Sequence, residues 1–258
     1  MGSQFYTTLP SNSSLKYFPE NKTCRYTTKL HRPLNLNEDY EVGLAEIQFQ
    51  NSWYNVREDN NWLVFYTYDE TEVLDTAVPL SCKVNIPTGY YFTGEELCDT
   101  INDVLPDRIR QAVGFFYKKR PRRCLVNIRG HVEISISCHL AMMLGFEGEC
   151  RITESTMSPL PVDVHMNFHT FYVYSDIVQF QHVGDVAVPL LRTVAVVPNK
   201  RHENIVNTYM SPHYVPLKIF NFETIDIILS TETGDVVPFE RGKVIVKLHF
   251  RERSSNLS

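Results

Sequence analysis

Phe222-Glu-Thr-Ile-Asp-Ile-Ile-Leu-Ser230, then Thr231-Glu-Thr-Gly-Asp235, then Val236 to Arg251 is the stretch whose reading decides the fold class. Ile225, Ile227 and Leu229 alternate with Thr224, Asp226 and Ser230; Val244, Val246, Leu248 and Phe250 alternate with Ile245, Lys247, His249 and Arg251. A period of two predicts strands with one dry face each. Thr233, Gly234 and Asp235 between them supply turn chemistry, because Gly tolerates positive φ and Asp bonds its own backbone. Pro238 lacks a ladder N–H, so Val236 to Phe239 is expected as an edge or bulged piece before the last strand resumes. Read locally, the pair is the closing hairpin of a β-sandwich.

Working outward, a length of 258 residues suits one large β domain or two small ones. A hydrophobic share of 43% is enough for a sizeable core, and 14 Tyr, 15 Phe and 14 Pro against 11 Gly favour strands and stiff connections over helices. The net charge of −5 offers no global attraction to nucleic acid or anionic membrane, so any such contact must be local. Cys24, Cys82, Cys98, Cys124, Cys138 and Cys150 form no C-x-x-C pair and are expected as reduced thiols. The start, Met1-Gly-Ser-Gln-Phe-Tyr6, has neither a basic nor an apolar signal region, and Tyr6 stands where myristoylation requires Ser or Thr. Export by signal peptide is not expected, and the sequons at Asn12, Asn21 and Asn256 then read as chance matches. Val186 to Val197, interrupted by Pro189 and Arg192, is too short and too polar to span a membrane.

Along the chain, strands are expected at Gln4 to Leu9, Cys24 to Leu30, Tyr40 to Phe49 and Trp62 to Tyr68. From Cys82 the texture changes. After a short strand at Lys83 to Ile86, Thr93-Gly-Glu-Glu96 reads as a capping box. Leu97, Ile101, Val104 and Leu105 then lay one apolar stripe along a helix that Pro106 stops. Strands at Val113 to Tyr117, Cys124 to Ile128 and Val132 to Ser137 lead to a short helix, His139 to Leu144, ended by Gly145. A second β block follows with Thr170 to Tyr174, Ile177 to His182, Val186 to Val197 and Tyr214 to Phe220. No fixed-period repeat is present, which disfavours propellers and solenoids. The expectation is a mainly β chain: residues 1–81 and 161–258 form a sandwich built from both ends of the chain, and 82–160 form a small inserted α/β segment, either a subdomain of its own or an elaboration of the same domain.

Catalytic motifs are missing: no G-x-S-x-G, no G-x-G-x-x-G, no P-loop, no H-E-x-x-H. His165 and His169 are four apart on an expected strand, but no H-x-H or H-x-D pair supports a metal site. No enzyme activity, metal or cofactor is therefore expected. The sharpest electrostatic feature is Lys118-Lys119-Arg120-Pro121-Arg122-Arg123, five cations in six residues. Such a run wants solvent or an anionic partner. Nuclear import, contact with packaged nucleic acid and docking on an acidic protein all fit, as does a plain solvated turn. Trp62, Phe65, Tyr66 and Tyr68, with Phe171, Tyr172 and Tyr174, place more large aromatics on strands than one face of a sandwich readily hides, and are expected at a subunit interface.

Phe5-Tyr-Thr-Thr-Leu-Pro-Ser-Asn-Ser-Ser14, Tyr40-Glu-Val-Gly-Leu-Ala-Glu-Ile47 and Trp53-Tyr-Asn-Val56 open a series of blocks that runs to about residue 251. Pro87-Thr-Gly-Tyr-Tyr91, Leu140-Ala-Met-Met-Leu-Gly-Phe146, Phe171-Tyr-Val-Tyr-Ser-Asp-Ile-Val178, Val183-Gly-Asp185, Pro189-Leu-Leu-Arg-Thr-Val194, Pro212-His-Tyr-Val-Pro-Leu217 and Pro238-Phe-Glu-Arg-Gly-Lys-Val-Ile-Val-Lys-Leu-His-Phe-Arg251 continue it. In this order they resemble the penton, or minor capsid, protein of the Polinton/Maverick and adintovirus group. The resemblance implies a jelly-roll capsid protein forming a homopentamer at icosahedral vertices, beside a separate double-jelly-roll major capsid protein. It also implies a protein of the virion, assembled inside the host cell, with packaged DNA as a neighbour and no small-molecule substrate. The basic run at 118–123 falls in none of these blocks. The competing class is a jelly-roll binding module of lectin or cytokine type, with Tyr54, Trp62 and Tyr68 available to stack on a sugar.

Overall fold

The computed structural model describes residues 3–68, 80–148, 150–166, 168–196 and 204–253; Val197 and the sequon at Asn256 lie outside them. The chain divides into two compact units, 1–53 with 168–258, and 54–167. The insert is thus wider than the expected 82–160. The reason is the strand at Trp62–Thr67, which pairs with two strands of the insert and not with the sandwich.

The sandwich unit begins with β1 (Gln4–Pro10), β2 (Arg25–Asn35) and β3 (Tyr40–Gln50). The insert then supplies β4 (Trp62–Thr67), β5 (Leu80–Asn85), α1 (Gly94–Val104), α2 (Asp107–Ala112), β6 (Val113–Lys118), β7 (Arg123–Ile128), β8 (Val132–Ile136), α3 (Cys138–Met143), β9 (Cys150–Ile152) and β10 (Thr156–Met157). The sandwich resumes with β11 (Thr170–Ser175), β12 (Gln181–Val183), β13 (Val186–Val188), β14 (Leu190–Ala195), β15 (Asn204–Thr208), β16 (Tyr214–Pro216), β17 (Asn221–Ser230) and β18 (Ile245–Glu252).

One sheet of the sandwich runs β1-β18-β3-β15, with β16 also on β3; the other runs β14-β11-β17-β2. Set the short β12–β13 ribbon and β16 aside, and count the remaining strands in chain order. The first pairs with the last, the second with the last but one, the third with β15 and β11 with β14. This is a long antiparallel hairpin rolled on itself, with β18–β3 and β11–β17 closing the two sheets. The fold is a jelly roll. β17 and β18 therefore do not form the hairpin expected from their adjacency. Each lies in a different sheet, and Val236 makes only one bridge, to Ser230.

Alternation fills the space between the sheets. Ile225, Ile227 and Leu229 face Val246, Leu248 and Phe250 as fully buried residues. Phe49 of β3 meets Phe171 of β11 edge-on at 5.2 Å, and the Tyr26 hydroxyl on β2 donates to the Leu9 carbonyl on β1 at 3.0 Å. Some expected strands are shorter. Pro189 breaks the expected Val186 to Val197 run into β13 and β14. Asp176 and Ile177 turn and Val178 makes only an isolated bridge to Leu217 before β12 starts, and Tyr214 to Phe220 pairs as a strand only over β16.

The inserted unit has its own hydrophobic cluster, including Leu63, Phe65, Leu97, Ile101, Phe115, Val126, Ile134 and Leu140. Its sheets run β5-β4-β8-β9 and β10-β7-β6. Thr93 caps α1, its side chain accepting the Glu96 N–H at 3.1 Å, while Glu96 accepts the Phe92 N–H at 2.8 Å, one residue earlier than a capping box requires. Pro106 ends this helix and also caps α2, which the sequence reading missed. Gly145 ends α3 at φ +86, where a Cβ would lie 2.2 Å from the Leu160 carbonyl oxygen.

Candidate functional site

The cationic run forms the tip of the β6–β7 hairpin, with Lys118 paired opposite Arg123. Lys118, Lys119, Arg120 and Arg122 are exposed and Arg123 is half-buried. The tip is held in one shape. Arg122 adopts a left-handed φ of 56°, and its carbonyl accepts the Val162 N–H at 2.7 Å. Lys119 pairs with Glu95 at 3.1 Å, and no other cation of the run has an ion-pair partner among the described residues. Lys118, Arg120 and Arg122 are left facing solvent without an ion pair among the described residues.

The aromatics separate by strand parity. Phe65 and Phe171 are 0% exposed and belong to the two cores, so neither serves at a subunit interface. Trp62 and Tyr66 point to the other face of β4, beneath Lys83 Nζ at 5.4 Å and the Arg151 guanidinium at 5.9 Å from their ring centres. Arg151 in turn pairs with Glu133. Tyr172 and Tyr174 stack at 6.2 Å with planes 9° apart on the outer face of β11. Trp62 and Tyr68 stand six residues apart along one extended segment, about 20 Å, too far to clasp one sugar ring together.

The sequence reading did not find a third feature, on the outer face of the β1-β18-β3 sheet. Register brings Tyr6, His249, Gly43 and Tyr214 into one row. Tyr6 stacks on His249 at 4.4 Å, and the Tyr214 hydroxyl meets His249 Nδ1 at 2.7 Å. Arg251 covers Tyr214 at 3.4 Å and donates to Glu41 at 2.7 Å. Gly43 is required, because a Cβ there would approach the His213 carbonyl oxygen to 2.9 Å. His249 is only 7% exposed although it faces outward, and its Nε2 has no hydrogen-bond partner among the described residues. Burial, with Arg251 nearby, pushes its pKa down.

His165 Nδ1 pairs with the Tyr90 hydroxyl at 2.9 Å, and among the described residues no group of three or more His, Cys, Asp or Glu side chains could hold a metal. The Cys98 and Cys124 sulfurs sit 3.8 Å apart as buried thiols. No helix among the described residues is long and apolar enough to cross a membrane.

These features define a jelly-roll protein that carries a contiguous second unit in the connection between its third and fourth sandwich strands. No protein-family model and no curated protein matches the chain. Among solved structures, the crystal structure of the mavirus penton protein is similar, with a TM-score of 0.53 over 97% of this chain and 100% of that chain at 10% identity. The two proteins share a fold over 97% of this chain.

Proposed function

We propose that the protein is a structural virion component, a penton whose copies close as homopentamers at the vertices of an icosahedral capsid. The observation that carries this reading is the likeness to the mavirus penton protein, which covers 97% of this chain and so includes the insert as well as the jelly roll. The ordered sequence blocks from Phe5 to Arg251 support the same group. A jelly roll alone serves many functions, so the full mutual coverage matters more than the fold class. On this reading the partners are further copies, a double-jelly-roll major capsid protein and packaged DNA, and the protein resides in the virion after assembly inside the host cell. No catalytic step or cofactor is required. Subunit contacts would use the outward aromatics Trp62, Tyr66, Tyr68, Tyr172 and Tyr174, residue types that interface centres favour.

A head-to-tail contact closes into a ring only when the rotation per subunit divides the circle. Multi-angle light scattering at high protein concentration, combined with particle images, tests this. Five-fold rings are expected, and a stable dimer or trimer with two-fold or three-fold symmetry would overturn the reading.

A further inference from the structure

Strand alternation sends Phe115, Cys124 and Val126 into the core of the inserted unit and turns Phe116, Leu125 and Met157 the other way. Register aligns those three in a single row across the three-stranded sheet, Phe116 opposite Leu125 and Leu125 opposite Met157. Phe116 is 45% exposed and Met157 41%. The Phe116 ring lies back over Gly114, where a Cβ would meet its Cε2 at 2.8 Å, so glycine makes room for a ring laid along this face. Two residue pairs toward the tip, on the same face, Lys118 stands opposite Arg123, with its Nζ 5.6 Å from the Phe116 ring centre. Arg120 and Arg122 continue the positive charge beyond them.

The edge of this sheet is closed where its face is open. Asn102 donates to the Phe115 carbonyl at 2.7 Å and accepts the Phe115 N–H at 2.9 Å, so the outer edge of β6 is already occupied at that residue. A partner adding a strand there would lose those bonds. The β6 edge is thus taken at Phe115 while the face beside it carries exposed Phe116 and Met157.

We propose that the outer face of the β6-β7-β10 sheet docks an acidic polypeptide segment that carries apolar side chains, supplied by a partner protein. The choice of partner rests on charge complementarity and on the apolar row together. A DNA duplex would engage the cations through its phosphates and leave Phe116, Leu125 and Met157 uncovered. A protein segment covers both: apolar side chains over the row and carboxylates against Lys118, Arg120, Arg122 and Arg123. Phe, Met and Arg are also the types enriched at protein contacts. The inference stands independently of the penton reading.

The test titrates the full chain into a fluorescently labelled short peptide alternating Glu with Leu and Phe. Poly-glutamate of equal charge and a short DNA duplex of equal charge serve as comparators. The mixed peptide is expected to bind best. Phe116→Ser with Met157→Ser, and separately Lys118→Gln with Arg120→Gln and Arg123→Gln, are each expected to weaken it about thirtyfold, the scale of one interface hot spot. Both sets change outward side chains, and an unchanged melting temperature checks that the unit stays folded. Equal or tighter binding of the duplex or of poly-glutamate would overturn the proposal in favour of a general polyanion site. Parent-like binding by both variants would overturn it outright, and a change in the chain's own oligomeric state would identify the occupant as another copy.

Discussion

In the jelly-roll unit the ladder joining β1 to β18 sets Gln4 opposite Arg251, whereas in the inserted unit every ladder closes within residues 54–167. The first unit can form only after nearly the whole chain exists, and the second needs only its own stretch. Non-local pairing is slow to form because loop closure precedes the contacts that reward it. The insert leaves after Trp53 and the sandwich resumes at Phe168, and those two rings pack edge-on at 5.0 Å. A segment whose two ends are pinned side by side inserts into a host fold at little cost, since closure entropy grows only slowly with loop length. The lesson is that the sandwich is the slower unit of this chain to form, because its closing strand comes last.

Deleting β18 gives the largest expected effect. That strand bonds β1 on one side and β3 on the other, so its loss leaves two open edges and removes Val246, Leu248 and Phe250 from the core. The jelly-roll unit is expected not to fold, while residues 54–167 expressed alone are expected to show a cooperative melt by circular dichroism. Failure of the isolated insert to fold would erase the contrast between the units.

Next in size are matched core truncations. Phe171→Ala in the sandwich and Phe65→Ala in the insert each remove a ring that is 0% exposed, and each is expected to cost about 3–5 kcal/mol. Scanning calorimetry should resolve two transitions, with Phe171→Ala lowering only one and Phe65→Ala only the other. A single transition shifted equally by both would show that the cores melt together.

The contrast between the units explains what the sequence revealed. Alternation marked β1, β3, β11 and β17 because each buries one face, and the Thr93 cap with the Leu97–Ile101 stripe marked α1. What was lost lies at long range. Nothing local tells β17 that its partners are β2 and β11 instead of β18. The α2 helix is hidden because Pro106 reads as a stop, although proline also begins helices and Asp107 follows it in the first turn. Phe65 and Phe171 sit among outward aromatics in the sequence, but strict parity with Leu63 and Val173 places them inside. The basic tip was plain from charge alone. Its apolar companion row was not, because Phe116, Leu125 and Met157 meet only through register across three strands.

Acidification offers a smaller probe of each unit. Burial pushes down the pKa of His249 in the sandwich, helped by Arg251, and of His139 in the insert, whose Nε2 lies 3.0 Å from the Asn55 carbonyl oxygen. A native pKa below the ordinary value of about 6.5 means that the unfolded chain binds more protons. The stabilising contribution is therefore complete above that ordinary value and is lost as pH falls through the lower native one. His249→Gln is expected to flatten the loss of the sandwich transition between about pH 7 and 5, and His139→Gln that of the insert. An unchanged slope in both would show that neither ring titrates on unfolding.

The smallest expected effect falls on the basic tip. Lys118, Lys119, Arg120 and Arg122 are exposed, and the shape of the turn is set by backbone contacts such as the Val162 N–H to Arg122 carbonyl bond, which survives any change of side chain. The Lys119–Glu95 pair is solvent-facing, and such pairs contribute little. Replacing all five cations of 118–123 by Gln or Ser should therefore leave the stability of the insert within about 1 kcal/mol, as for other surface changes. Removing like charges crowded into one turn also relieves their mutual repulsion, which offsets part of any loss. Chemical denaturation of the substituted chain measures the difference directly. A fall of several kcal/mol would mean that the cations hold the hairpin together, and their use for a partner would then have to be abandoned.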